Sequence, residues 1–155
     1  MPASGIRLVD SNLWLALCFG GHQHHHLGIG WFDSLNAGEA AFCRITQMAL
    51  LRHLTNSLIM GSSVLNQRRA WSCFDRLFED DRVTFLEEPY ELEILWRKLT
   101  RSDEPKRRLW TDAYLAAFAL ASRIKLSTID QDFARFPGLE VELLSPASLT
   151  NPADS

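Results

Sequence analysis

Short apolar runs alternate along the chain with longer stretches whose apolar residues recur at helical spacing. The run Ile6-Arg7-Leu8-Val9 ends on Asp10 and reads as a buried strand. Leu13, Trp14 and Leu17 follow at helical spacing up to the Gly20-Gly21 break, so a strand feeds a helix. Residues 24–37 predict a second helix with Leu27, Trp31 and Leu35 on one face, and residues 40–43 a short strand. A third helix is predicted over 46–56, capped by Thr46, with Met48, Leu51 and Leu54 as its spaced apolar contacts.

Residues 57–63 read as a loop. Residues 64–78 read as an amphipathic helix that carries Leu65, Trp71, Phe74, Leu77 and Phe78 inward until Asp80-Asp81 ends it. A short apolar strand is predicted over 83–86, and Pro89 opens a helix in which Leu92, Leu95, Trp96 and Leu99 keep the helical stripe. The polar stretch 101–108 is the most loop-like in the interior of the chain. Thr111 is positioned to cap a helix over 112–123, whose Ala113, Ala116, Ala117, Ala119 and Ala121 permit close packing on a sheet. A strand over 125–129, a helical turn over 131–136, the Pro137-Gly138 turn and a strand over 140–144 complete the pattern. The tryptophans, each at helical spacing with other large apolar side chains, are expected mostly in the core. Strands alternating with helices predict an α/β fold with a mainly parallel sheet covered on both faces.

Length changes this picture little: 155 residues make one domain, expected over 1–145, with 146–155 as a frayed tail. Cys18, Cys43 and Cys73 are odd in number, widely spaced and set among apolar neighbours, as in reduced core thiols, so a cytoplasmic location is expected. The run from Leu13 to Phe19 is too short to span a bilayer and follows an acid, so no export signal is expected. A net charge of -3 argues against a protein that coats nucleic acid by charge alone. It leaves room for a nuclease whose acids hold a cation, because the bound ion reverses the potential that a phosphate meets.

Candidate chemistry rests on three aspartates at the edges of apolar segments: Asp10 and Asp130 after strands, and Asp112 in the first turn of a helix. Strand exits and helix entries of an open α/β sheet face one crevice, so these acids can converge there. Any one of them alone could be merely a cap or turn former. Together they would repel, and a hard divalent ion such as Mg²⁺, which prefers oxygen ligands and needs few carboxylates, offsets that charge. Metal-assisted phosphodiester hydrolysis is the reaction class such a site suits.

Four blocks carry a family resemblance. Leu8-Val9-Asp10-Ser11-Asn12, the segment from Ile45 to Arg52, the segment from Trp110 to Ala119, and the segment from Leu126 to Phe133 resemble, in order, the signature blocks of PIN-domain ribonucleases, nearest to VapC-type toxins of bacterial toxin–antitoxin pairs. The resemblance covers Arg7 to about Leu144. It implies a three-layer α/β/α domain, a Mg²⁺ or Mn²⁺ site, endonucleolytic cleavage of RNA, a homodimer and a cognate antitoxin protein that blocks the cleft. Asp10, Asp112 and Asp130 fall on family acids, whereas Gln47 stands where the family usually has a glutamate. Glutamine keeps a carbonyl oxygen but lacks the charge and basicity of a carboxylate. Either Asp132 restores a fourth acid, or Gln47 acts around the three aspartates without touching the ion.

Supporting residues expected beside the acids are Asn12 and Thr128, and the Lys106-Arg107-Arg108 loop is placed to meet an RNA backbone. Arg44 and Arg52 could reach a scissile phosphate, but each by itself reads as a solvated surface arginine. His22, His24, His25 and His26 read as a polar loop and helix start, because no acid or cysteine stands near enough in sequence to complete a transition-metal site. The alternative to an active nuclease is a PIN-like module, impaired by Gln47, that binds RNA or an antitoxin. A phosphoacceptor receiver domain is disfavoured, since neither paired acids after the first strand nor a lysine after a late strand is present.

Overall fold

Five parallel strands, β1 (Arg7–Val9), β2 (Ala40–Phe42), β3 (Val83–Phe85), β4 (Lys125–Thr128) and β5 (Val141–Leu143), stand in the order β3-β2-β1-β4-β5. The structure is a computed structural model and describes residues 5–146; residues 147–155 of the expected tail lie outside the described residues. The chain winds outward from β1 in both directions. A crevice therefore opens beyond the carboxyl ends of β1 and β4, where the direction of winding switches. In register, Leu8 pairs with Leu126 and Val9 with Ser127, so Asp10 and the residues after Thr128 leave the sheet at the same edge.

Alternation along β1 builds two cores. Val9 faces a cluster with Leu13, Trp14, Trp31, Phe42 and Phe74, whose helices are α1 (Ser11–Cys18), α2 (His25–Asp33), α3 (Arg44–Leu54) and, past α4 (Ser57–Met60), α5 (Gln67–Phe78). Leu8 faces the other, with Leu92, Ala113, Ala117, Phe118 and Leu126, formed by α6 (Leu92–Leu99) and α7 (Leu109–Ser122). This is the expected three-layer α/β/α arrangement. Trp14 stacks on Phe42 with ring centroids 3.8 Å apart, and Ala113, Ala116, Ala117 and Ala119 are buried, so α7 sits close on the sheet. Below the sheet edge, Glu142 accepts hydrogen bonds from Arg7 Nε, Trp31 Nε1 and Ser127 Oγ, tying β1, α2, β4 and β5 together.

Several boundaries differ from the sequence reading. Thr46 does not cap α3: the helix starts two residues earlier, and Thr46 Oγ1 accepts from the N–H of Cys43, the actual cap, at 3.0 Å. Residues 57–63 are a helix and a 3-10 turn rather than a loop, because Asn56 Oδ1 accepts from Leu58 N and starts a new helical turn. Thr111 does not cap α7 either, since that helix begins at Leu109. Asp112 stays in its first turn. The second helix stops at Asp33 and the fifth waits for its Asn66 cap. Trp71 and Trp110 are exposed, not core, because they stand on the outer faces of α5 and α7. Cys18, Cys43 and Cys73 are free thiols. Among the described residues no helix is long and apolar enough to cross a membrane.

Candidate active site

Asp10 is the last residue before α1 and serves as its cap: Oδ1 accepts from Ser11 N at 2.8 Å, and Oδ2 from Thr128 Oγ1 at 2.9 Å. The carboxylate is buried. Burial pushes its pKa up to about 6; the bonds from Thr128 and Ser11 pull down, while the charges of Asp112 and Asp130 push up. Thr128 Oγ1 also accepts from Asp130 N at 2.9 Å, so one buried hydroxyl holds both strand-end acids. Asp130 in turn caps a 3-10 helix over 131–135 through Asp132 N. Asp112 is half-buried and reaches Arg135 Nη2 at 3.2 Å. Burial raises its pKa, Arg135 opposes the rise, and the nearby Asp130 and Asp132 add to it.

Asp10, Asp112 and Asp130 line one cavity of about 760 Å³, although the first two stand 102 positions apart in sequence. Arg52, Arg107 and Arg108 stand around the same cavity. Acids on the floor and guanidiniums on the rim suit an anionic polymer, provided a cation neutralises the floor. His53 also lines it, half-buried, with Nε2 3.5 Å from Ser11 Oγ; burial and then Arg52 hold its ring below the usual imidazole range.

Gln47 does not line this cavity. It is buried, and its Oε1 accepts from Arg44 Nη1 at 2.6 Å, while the Arg44 guanidinium lies over the Phe85 ring. Helical phase explains the difference: Thr46, Ala49 and His53 form the stripe of α3 that faces the acids, and Gln47 is rotated about 100° from Thr46 toward the side of Leu50 and Leu54. Asp132 is exposed and likewise stands outside this cavity. Asn12 lines its edge.

Sequence reasoning missed Ser11, His53 and Arg135. The α3 stripe was available as a helical wheel and would have found His53. Nothing local could find Arg135, whose partner is 23 residues away.

A divalent cation fits the donor set but not the present rotamers. All three acids offer hard oxygen ligands into one space, and among the described residues no cationic side chain pairs with the buried Asp10. Yet among the described residues no three histidine, cysteine or acidic side chains already stand grouped to grip one ion. Arg135 holds Asp112 through Oδ2 at 3.2 Å, so a cation at Asp112 would share that carboxylate with the guanidinium or take its place.

A family model described as PIN domain matches residues 7–139. The chain belongs to the PIN-domain family. Within it, Ribonuclease VapC41 of Mycobacterium tuberculosis is 43% identical over 143 residues, a span of 89% of this chain and 98% of that protein. Ribonuclease VapC29 of the same species is 29% identical, over 91% and 97%. Two solved structures share the fold. One is VapBC2 from Rickettsia felis bound to a promoter DNA fragment, with TM-score 0.63, 14% identity, and coverage of 90% of this chain and 99% of that one. The other is VapC20 from Mycobacterium tuberculosis, described as a sarcin-ricin loop cleaving toxin, with TM-score 0.60, 19% identity, and coverage of 82% and 92%. The resemblance read from the four sequence blocks and the PIN fold it implied agree with these matches.

Proposed function

We propose that this PIN domain is a divalent-metal-dependent endoribonuclease of VapC type, the toxin of a toxin–antitoxin pair. One observation carries the reading: three aspartates from distant segments border a single cavity rimmed by arginines. Asp10, Asp112 and Asp130 would hold Mg²⁺ or Mn²⁺, which when bound supplies Lewis acidity toward a phosphodiester and offsets the three carboxylates. Arg52, Arg107 and Arg108 draw the RNA backbone to the rim. Thr128 fixes the orientation of Asp10 and Asp130. Gln47, bonded to Arg44 and outside the cavity, is left out of the set that would hold the ion. The VapBC names among the structural neighbours support a cognate antitoxin partner. That the antitoxin covers the cleft, and that the protein works as a homodimer in the cytoplasm, is what the family resemblance implies.

The test is RNA cleavage by the purified chain across a Mn²⁺ and a Mg²⁺ titration, with Asp10→Asn and Asp112→Asn alongside. Cleavage is expected only with metal and is lost in both variants. Cleavage that persists in either variant or in excess chelator overturns the reading. A wild-type chain that binds RNA and never cuts it points instead to the impaired module.

A further inference from the structure

A shallower cleft of about 600 Å³ adjoins the acid cavity and shares two of its residues, Asn12 and Asp130. Its far wall is the loop ahead of α2, with His22, Gln23 and His24, and its near wall carries Gln131 and Asp132. We infer that this cleft is a nucleobase subsite, taking an unstacked base of single-stranded RNA beside the phosphate to be cut; the assignment rests on the ribonuclease reading above.

The lining has the chemistry of base recognition. The amides of Asn12, Gln23 and Gln131 each donate and accept, as base edges do, and the rings of His22 and His24, 5.7 Å apart and tilted 44° to one another, add aromatic surface on which a base can stack. Charge separates this cleft from the rest of the track. Asp132 and, until a cation is bound, Asp130 are the charged groups of its lining and repel phosphate, whereas the arginines stand around the neighbouring cavity. A strand crossing both therefore lays its phosphate on the arginine side and its uncharged base on the histidine side.

The loop is also pre-set. His24 N donates to His22 Nδ1 at 3.0 Å, which leaves Nε2 as the proton-bearing nitrogen of a neutral His22 ring. Burial, then His24 and His25, hold that ring below the usual imidazole range and favour its neutral form. His25 Nδ1 bonds Ala16 O at 2.7 Å and anchors the loop to α1. A transition-metal site is the weaker use of these histidines, because among the described residues no three potential ligands are grouped for one ion.

The experiment measures fluorescence anisotropy of a short, labelled, random-sequence single-stranded RNA on the full chain in an Asp10→Asn background with chelator. The pair His22→Ala with His24→Ala is expected to weaken binding about tenfold without changing its salt slope, and His22→Phe with His24→Phe to recover most of the loss. In the Asp10 chain, sequencing the cut sites of a random RNA pool is expected to show a base preference next to the cut that flattens in the alanine pair. Unchanged affinity and unchanged preference in the alanine pair overturn the inference. A loss that appears wholly as a reduced salt slope overturns it in favour of a phosphate contact. Zn²⁺ binding that disappears in the alanine pair while RNA affinity is unchanged overturns it in favour of a metal site. If the Asp10 chain cuts nothing yet loses RNA affinity in the alanine pair, the nuclease reading falls and the base subsite stands.

Discussion

Thr128 joins two acids with one hydroxyl: it donates to Asp10 Oδ2 and accepts from the backbone N–H of Asp130, both at 2.9 Å. The residue is fully buried, so no water replaces it. Thr128→Val, nearly the same shape, leaves a buried carboxylate oxygen and a backbone donor without their partner. Residues that orient metal ligands typically matter about 10- to 100-fold, and a fall of that size in kcat/KM at saturating Mn²⁺ is expected, with Thr128→Ser close to wild type. A valine variant as active as wild type removes Thr128 from the site.

Asp10 predicts a pH-dependent trade between stability and function. Its folded value of about 6 lies above the ordinary 3.8, so the folded chain holds this proton more tightly than the unfolded chain. The stability that follows is complete below pH 3.8 and is lost as pH rises through about 6. At pH 8 the ionised group costs the metal-free fold about 3 kcal/mol, so Asp10→Asn is expected to melt roughly 5–10 °C above wild type. The gap closes toward pH 4. Thermal melts in chelator followed by circular dichroism read both, and a variant less stable than wild type at pH 8 contradicts the sign.

Arg135 competes with any cation for Asp112. The ion pair is 3.2 Å long with side chains 42% and 28% exposed, and pairs so open to solvent are worth no more than about 1 kcal/mol. Arg135→Gln is therefore expected to lower the Mn²⁺ concentration for half-maximal cleavage by only about two- to fivefold. An unchanged metal requirement means that Asp112 does not have to leave Arg135.

Gln47→Glu places a charge 2.6 Å from Arg44, which compensates its burial. Initial cleavage rates equal to or above wild type are expected. A large loss would assign the glutamine amide a role that a carboxylate cannot fill.

The α/β class was legible because its signal is local. The strand segment before Asp10, apolar but for Arg7, a helical stripe after it and an alanine-rich segment from Ala113 each report their own backbone period. Boundaries were harder to read because capping is decided by one side chain's geometry: Cys43 rather than Thr46 starts α3, and Asn56 turns an expected loop into a helix. Likewise Trp71 and Trp110 share the composition of core residues but stand on outer faces, since spacing alone does not say which stripe meets the sheet.

The sequence by itself determined which residues carry charge, the order of strands and helices, and the family whose blocks it repeats. Only the tertiary structure decided that Asp10, Asp112 and Asp130 border one space, that Gln47 turns away toward Arg44, and that Arg135, His53 and the histidine loop stand beside the acids. The reason is range: periodicity is written within a few residues. Convergence depends instead on the β1–β4 register and on the reversal of winding beside β1, which are set by burying both faces of the sheet at once.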